Sequence, residues 1–97
     1  MCGAPKQGGA LAGIDLTTQT VIQGQVWHDG APVAGAYVRL LDATDEFTAE
    51  VVTNPEGEFR FFAAPGQWKV RSLAQVGKGE RAVDAEVGLN ETTIVID

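Results

Sequence analysis

Cysteine and histidine are nearly absent from this sequence, since Cys2 and His28 are the only ones it contains. One cysteine cannot form an intramolecular disulfide or a cysteine-based zinc cluster. One histidine with one distant cysteine also makes a poor metal site. A Ser-His-Asp arrangement needs groups on either side of the histidine, and Asp29 would point away from His28 along a strand. We therefore expect no catalytic residue and no metal centre, and we expect His28 to lie at a turn or on the surface.

Basic residues are also scarce. The chain has 7 Lys and Arg against 13 Asp and Glu, a formal net charge of −6. Phosphate backbones and anionic membranes are bound by clustered Lys and Arg, so we expect neither nucleic acid nor a membrane as a partner. No apolar run is long enough to span a bilayer, and the first residues lack the apolar region of a signal peptide. The expected compartment is the cytoplasm.

What the sequence does contain is a series of short alternating segments separated by Gly, Pro, Asn and Asp. No segment repeats its apolar residues with the period of a helix. Strands are expected at residues 20–27, 36–41, 47–53, 58–63, 68–73, 81–87 and 92–96. Seven short strands spaced about ten residues apart predict an all-β fold, a single antiparallel β-sandwich. The predicted domain covers residues 14–97, preceded by a flexible Gly- and Ala-rich tail at residues 1–13.

Several local features refine this prediction. Gly24 inside a strand indicates a bulge or the close approach of another backbone. Pro55 and Gly57 predict a type I turn that closes a bulged hairpin. Residues 76–80 are expected to form a mobile loop. The side chains expected in the core are those of Ile22, Val26, Val38, Leu40, Val51, Phe59, Phe61, Trp68, Val70 and Ile94, with Phe47 and Ala49 on the inner face and Leu41 on the outer face.

Turn residues and apolar strand residues follow one another in a fixed order between residues 20 and 75. The order is Gly24-x-Val26, Gly30-x-Pro32-Val33-x-Gly35-Ala36-x-Val38-x-Leu40, Thr53-x-x-x-Gly57-x-Phe59 and Pro65-Gly66-x-Trp68-x-Val70. This pattern resembles the seven-stranded carboxypeptidase regulatory-like, or transthyretin-like, sandwich. Hydroxyisourate hydrolases, the enzymatic branch of that fold, carry paired histidines and end in Tyr-Arg-Gly-Ser. This chain has one histidine and ends Thr-Ile-Val-Ile-Asp, so we do not expect that activity.

A second resemblance spans nearly the whole chain. It is carried by MCGAPKQG at residues 1–8, VRLLD at 38–42, DEFTAEVV at 45–52 and FRFFAAPG at 59–66. These segments resemble the SseC family of small actinobacterial proteins of unknown function, which are typically encoded beside a rhodanese-type thiosulfate sulfurtransferase. The resemblance implies a context in sulfur metabolism and a sulfurtransferase as a partner.

Cys2 is the candidate sulfur acceptor. Removal of Met1 would leave a cysteine at the start of the tail, where its thiol could enter the active site of a sulfurtransferase. A free thiol titrates near ~8.5, so a few per cent is thiolate at neutral pH. The competing interpretation is an incidental solvent-exposed thiol.

Two further groups of side chains are exposed in the predicted sandwich. Asp42, Asp45, Glu46 and Glu50 surround one loop, and their spacing favours a solvated acidic rim over a calcium site. A second group combines Arg with aromatic residues on outward strand positions, the composition of an interface centre. This candidate interface, for a homodimer or another partner, consists of Tyr37, Arg39, Arg60, Phe62 and Arg71.

The sequence therefore favours a non-enzymatic accessory or binding protein without a cofactor, acting in sulfur metabolism. The alternative is a structural or ligand-binding β-sandwich that uses its loops and has no thiol chemistry.

Overall fold

Residues 13–97, the part of the chain that the computed structural model describes, form eight β-strands and no helix. The strands are β1 Thr20–His28, β2 Ala31–Pro32, β3 Tyr37–Leu41, β4 Phe47–Val52, β5 Glu58–Ala63, β6 Gly66–Ala74, β7 Gly77–Ala85 and β8 Gly88–Val95. They make two four-stranded sheets that enclose one core. The all-β sandwich expected from the alternation is confirmed.

The first sheet is built around β1. β8 pairs with β1 in parallel along one edge, while β5 and β2 share the other edge in antiparallel pairing. The second sheet has the order β4-β3-β6-β7 and is antiparallel throughout. The alternation of a strand does not reveal the direction of its neighbour, so the parallel pair was not foreseen.

The eighth strand, absent from the expected seven, is the two-residue β2. Asp29 and Gly30 are the only residues between His28 and Ala31, which pair with each other, and both have positive φ, 52° and 78°. Two consecutive positive φ values define the type I′ turn of a tight hairpin, whose twist matches that of the strands it joins. The Asp-Gly dipeptide is the sequence signal for this turn.

The core consists of inward side chains from both sheets. Phe59 and Phe61 lie side by side, with ring centroids 6.0 Å apart. Nine of the ten side chains expected in the core belong to it, and the tenth, Trp68, is half-buried and packs against it. The expected close approach at Gly24 is also present, because a Cβ there would lie 1.7 Å from the carbonyl oxygen of Thr92 in β8.

A bulge near the start of β4 changes the face of the sheet on which Phe47 lies. Leu40 pairs with Ala49, but the next pair is Leu41 with Phe47, which leaves Thr48 as the extra residue. Because an inserted residue shifts the alternation by one, Phe47 turns outward and is 61% exposed. The expectation that Phe47 faces the core was wrong. Leu41 lies on the outer face as expected, because it pairs with Phe47 and Lys69, although it is only 4% exposed.

Three expectations about connections also need correction. The turn at Pro55 and Gly57 forms, with the Gly57 amide donating to the Asn54 carbonyl at 2.8 Å, but it joins strands of different sheets and is not a hairpin. Residues 77–80 belong to β7 and not to a loop, and β8 begins at Gly88, four residues before the expected start. Glycine-rich and polar strands such as GKGE carry a weak strand signal.

Candidate functional site

The predicted interface residues are divided between the two sheets. Tyr37 and Arg39 lie on β3 and Arg71 on β6, in the second sheet, while Arg60 and Phe62 lie on β5, in the first sheet. The sheets cover opposite sides of the core, so these five side chains do not form one surface. Alternation along each strand predicted correctly that they point outward, but it carries no information about which sheet holds the strand.

A row of charged side chains crosses the outer face of the second sheet, the surface formed by the outward side chains of β3, β4, β6 and β7. In strand order the row is Glu50, Arg39, Arg71 and Glu80, because the register places each next to the following one. The Nε of Arg39 lies 2.7 Å from Oε2 of Glu50, and the Nε of Arg71 lies 3.1 Å from Oε1 of Glu80. The two arginines are thus neighbours, and each is paired with an acid on its far side.

A second row lies beside the charged one and is largely apolar. It runs through Val52, Tyr37 and Leu73 and ends at Lys78. The first three side chains are 41%, 54% and 43% exposed, respectively. Contiguous exposed apolar side chains beside Arg are typical of protein interfaces. Leu73 and Lys78 were not among the predicted interface residues.

A third row on the outer face contains Phe47 and Lys69, which lie on either side of Leu41. Lys69 lies 2.8 Å from Oδ1 of Asp45 and 3.6 Å from Oε2 of Glu80. The hydrogen bond to Asp45 is the main reason that the pKa of Lys69 is raised. The guanidinium of Arg39 lies 5.9 Å from the centre of the Phe47 ring, at cation–π distance. The bulge in β4 therefore adds an aromatic ring to this face.

Asp42, one of the acidic residues of the predicted rim, is hydrogen-bonded within its own loop. One oxygen of Asp42 accepts hydrogen bonds from the amide and hydroxyl of Thr44, at 2.8 and 2.7 Å, and from the amide of Glu46 at 3.0 Å. The hydrogen bond from the Thr44 hydroxyl contributes most to the lowered pKa of Asp42. Within residues 13–97 no group of three or more potential metal ligands is assembled.

His28 holds the last residues of the chain. Its Nδ1 lies 2.9 Å from the carbonyl oxygen of Ile96, and the ring is half-buried at the end of β1. The Ile96 amide in turn donates to the Trp27 carbonyl at 2.8 Å. The histidine thus lies at the end of a strand beside a turn, in agreement with the position expected for it.

The outer face of the first sheet has a different character. Arg60 donates through Nε to the Oε1 of Gln23 at 3.0 Å, and Gln23 donates to Glu91 at 3.4 Å. Phe62 is 56% exposed beside this polar row. Leu89 and Val95 on the same face are 38% and 64% exposed, so Arg60 and Phe62 belong to a surface that combines a polar row with separate apolar side chains.

A cleft of about 490 Å³ opens at one end of the second sheet. It is lined by Asp42, Asp45, Trp68, Lys69 and Asp84, among others. The indole nitrogen of Trp68 donates to the Ala64 carbonyl at 2.8 Å, so the ring is fixed at the cleft wall. Trp68 was expected in the core, and the cleft beside it was not foreseen.

Cys2, the predicted sulfur acceptor, lies outside the described residues. The chain enters the described part at Gly13 and then makes a hydrogen-bonded turn at residues 15–19. The carboxylate of Asp15 accepts from the amide of Thr17 at 2.9 Å, and the Gln19 amide donates to the Asp15 carbonyl at 2.8 Å. The Gln19 carbonyl accepts from Gly88 at 2.8 Å. These bonds fix the point from which the first residues leave the sandwich.

Fold and surface together define a small β-sandwich protein with an exposed, partly apolar sheet face. The chain belongs to a protein family of unknown function, DUF1416, whose model matches residues 2–96. It is similar to the uncharacterized proteins Rv0814c and Rv3118 of Mycobacterium tuberculosis, each 52% identical over 99 residues and covering 99% of both chains. An uncharacterized protein of Mycolicibacterium smegmatis is 51% identical over 87 residues, which covers 88% of this chain and 97% of that one.

Residues 13–97 contain no helix that is long and apolar enough to cross a membrane.

Proposed function

We propose that this protein is a non-enzymatic accessory protein of sulfur transfer in the cytoplasm, and that Cys2 accepts sulfane sulfur from a rhodanese-type thiosulfate sulfurtransferase. The observation that carries the proposal is the anchored turn at residues 15–19, which fixes the start of the Cys2-bearing segment at one end of a rigid sandwich. A single reduced thiol suits a compartment in which disulfides are rare.

The length of the N-terminal segment supports delivery of the thiol to a partner. Eleven peptide units separate Cys2 from Gly13, and a fully extended chain of that length spans about 35–40 Å. The longest dimension of the molecule is 36 Å. A segment of this length would allow the thiol to reach the active site of a partner that binds the sandwich.

Four ionisable side chains that could take part in catalysis or metal binding make structural contacts instead. His28 binds the Ile96 carbonyl, Asp42 closes its own loop, and Glu50 and Asp45 pair with cations. Each of these groups has a role in the stability or shape of the sandwich. This use of the side chains supports a binding role for the sandwich and is consistent with a reactive group outside it, the Cys2 thiol.

The transfer step balances without an added oxidant or reductant. The sulfurtransferase thiolate takes sulfane sulfur from thiosulfate, breaks its S–S bond, and releases sulfite. The Cys2 thiolate then attacks the outer sulfur of the enzyme persulfide, the S–S bond of that persulfide breaks, and the enzyme thiolate leaves. The product is a Cys2 persulfide and the regenerated enzyme.

Charge complementarity favours such a partner. The end of the sandwich from which the N-terminal segment departs also carries the acidic loop at residues 42–46, together with Asp84 and Glu86. An enzyme that binds the thiosulfate dianion needs cationic groups at its active site. The acidic end of the sandwich would be attracted to that region and would orient the encounter.

Incubation with a competent sulfurtransferase and thiosulfate tests the proposal. We expect a mass increase of one sulfur atom located on Cys2, because no other cysteine is present. The Cys2→Ser variant should gain no sulfur while still binding the enzyme, since the folded sandwich is unchanged. Absence of the adduct with an enzyme that is turning over would rule out the acceptor role.

We also propose that the sandwich is of the transthyretin-like, carboxypeptidase regulatory-like type. The sheet order β4-β3-β6-β7 and the pairing of β1 with both β5 and β8 support this assignment. The eighth strand, β2, is an extension of the tight hairpin at Asp29 and Gly30 and leaves the order of the other seven unchanged.

A second candidate function is ligand binding at the Trp68 cleft without thiol chemistry. The fixed indole ring beside Asp84 and Lys69 offers an apolar surface with polar groups around it, the usual composition of a small-ligand site. The Cys2→Ser variant separates the two functions, because a sulfur-dependent phenotype would be lost in the first case and kept in the second.

A further inference from the structure

We propose that the outer face of the second sheet pairs with the same face of a second copy of this chain, across a two-fold axis that runs perpendicular to the strands. The axis lies between the charged row (Glu50, Arg39, Arg71 and Glu80) and the apolar row (Val52, Tyr37, Leu73 and Lys78). This inference does not depend on the chemistry of Cys2 and extends the function proposed above to a dimer.

The distribution of charge selects this face. It carries four cations against four carboxylates: Arg39, Lys69, Arg71 and Lys78 against Asp45, Glu50, Glu80 and Asp84. The other residues between 13 and 97 carry two cations, Arg60 and Arg81, against nine carboxylates. Two copies of an acidic protein repel one another, and the repulsion is smallest where their near-neutral faces meet.

The exposed apolar side chains favour the same face. Val52, Tyr37 and Leu73 form a continuous row. Phe47, in the third row, lies beside Arg39 of the charged row. The outer face of the first sheet also has exposed apolar side chains, Phe62, Leu89 and Val95. There the hydrogen-bonded polar row of Arg60, Gln23 and Glu91 separates Phe62 and Leu89 from Val95. Burial of Tyr37 and Leu73 against the arginine side chains of the second copy would contribute favourable free energy of association.

The order of the charges determines the direction of the axis. A two-fold axis parallel to the strands and centred between β3 and β6 would place Arg39 against Arg71 of the second copy and Glu50 against Glu80. Both contacts join like charges. An axis perpendicular to the strands instead reverses the rows and keeps each strand opposite its own copy.

With that perpendicular axis, each member of one row faces its neighbour from the other row. Lys78 faces Glu80 of the second copy, and Tyr37 faces Arg39 of the second copy. The first contact joins opposite charges and the second places a guanidinium over an aromatic ring. Symmetry repeats both contacts, so each occurs twice in the dimer.

The size of the face predicts a weak dimer. Four strands spaced about 4.8 Å apart cover a width of about 19 Å, and the nine-residue strands β6 and β7 are about 30 Å long. The dimer would bury about 1,100 Å² in total, close to the lower limit for specific interfaces. We therefore expect dissociation in the range of about 1–100 μM, as in reversible assemblies of this size.

Sedimentation equilibrium over a wide concentration range tests the inference with two matched variants. Tyr37→Asp places a charge on the apolar row, and Phe62→Asp places the same charge at an equally exposed ring, 56% against 54%, on the first sheet. We expect Tyr37→Asp to weaken dimerisation at least about tenfold and Phe62→Asp to leave it unchanged. A monomeric wild-type chain at millimolar concentration, or greater sensitivity to Phe62→Asp, would overturn the proposal.

A charge exchange tests the direction of the axis. Lys78→Glu alone should weaken the dimer, because two acids then face one another twice, and Glu80→Lys alone should also weaken it. The double variant restores opposite charges and should recover most of the association. A double variant that is as weak as the single ones would show that Lys78 and Glu80 do not face each other across the interface. Circular dichroism of each variant confirms that the sandwich is folded.

Discussion

Gly24 is the position in β1 where the absence of a side chain has the clearest structural reason. A Cβ at this residue would lie 1.7 Å from the Thr92 carbonyl oxygen and 3.1 Å from the ring of Phe59. The Thr92 carbonyl belongs to the backbone of the neighbouring strand, so it cannot move aside without disturbing the pairing of β1 with β8. The glycine therefore permits the first sheet to close over the Phe59 ring.

We predict that Gly24→Ala destabilises the protein by at least about 3 kcal/mol, because the new methyl group overlaps backbone that is fixed in the sheet. Chemical denaturation measures the loss. Gly35→Ala is the matched control: no atom lies within 4 Å of its Cβ, but Gly35 has a φ of 71°. Strain at that positive φ should cost about 1 kcal/mol. Equal losses for the two variants would contradict the pairing of Gly24 with Thr92.

Other residues show where sequence reasoning fails at this scale. The importance of Gly24 was predictable, because a glycine inside an alternating strand weakens the strand and usually marks a bulge or a closely approaching backbone. The orientation of Phe47 was not predictable, because the bulge that turns Phe47 outward depends on how β4 pairs with β3. Alternation gives the two faces of a strand, but an extra residue in one strand exchanges them.

The loop between β3 and β4 is stabilised by Asp42 in its ionised form. The carboxylate accepts three hydrogen bonds from Thr44 and Glu46, and the Asp42 amide donates to the Glu46 carbonyl at 3.0 Å. The hydrogen bonds favour the charged carboxylate and hold the pKa of Asp42 below its ordinary value of 3.8. Folding therefore favours the ionised form of this group.

We predict that this contribution is complete above a pH of about 4 and is lost as the pH falls through the lowered pKa of folded Asp42. Below that pH the unfolded and folded states both bind the proton, and the preference disappears. Thermal unfolding of wild type and Asp42→Asn between pH 2 and 6 measures the effect, and the variant should show a shallower loss of stability in acid. Asp15→Asn provides a comparison, since the pKa of Asp15 is also lowered, mainly by the hydroxyl of Thr17. Identical acid profiles for wild type and Asp42→Asn would contradict the prediction.

At the scale of the elements, the main feature that could not be predicted from the sequence was which sheet each strand joins. Strand existence followed from alternation and from turn residues, so β1, β3, β4, β5 and β6 were predicted within a few residues. The turns at Pro55 and Pro65 connect one sheet to the other, and a local turn signal does not distinguish that connection from a hairpin. The candidate interface was divided for this reason, because Phe62 precedes the second of these turns and Arg71 follows it.

On the scale of the whole molecule, acidic charge is concentrated away from the outer face of the second sheet. Four carboxylates of the described chain lie at the end that carries the N-terminal segment or along the loop beside it: Asp42, Asp45, Glu46 and Glu86. The proposed dimer face is nearly neutral. The two proposed interactions therefore differ in their electrostatic driving force.

We predict that a rise in ionic strength affects the two proposed interactions differently. Between about 50 mM and about 500 mM ionic strength the screening length falls from about 14 Å to about 4 Å. Binding of the sulfurtransferase to the acidic end should weaken several-fold, because its attraction is screened. Self-association should be unchanged or strengthened, because the repulsion between two acidic chains is screened as well. Isothermal titration calorimetry and sedimentation at both salt concentrations measure the two effects, and a dimer lost at high salt would show that its contacts are mainly ionic.

The parallel pairing of β1 with β8 also determines when this protein can finish folding during synthesis. Val26 pairs with Ile94, 68 residues later in the chain, so the central strand of the first sheet has an open edge until β8 has left the ribosome. Closing so long a loop before the contact forms makes folding slow. An unpaired central strand is also a template for association with other nascent chains. Synthesis of β8 is therefore the event that both closes the sheet and removes this hazard.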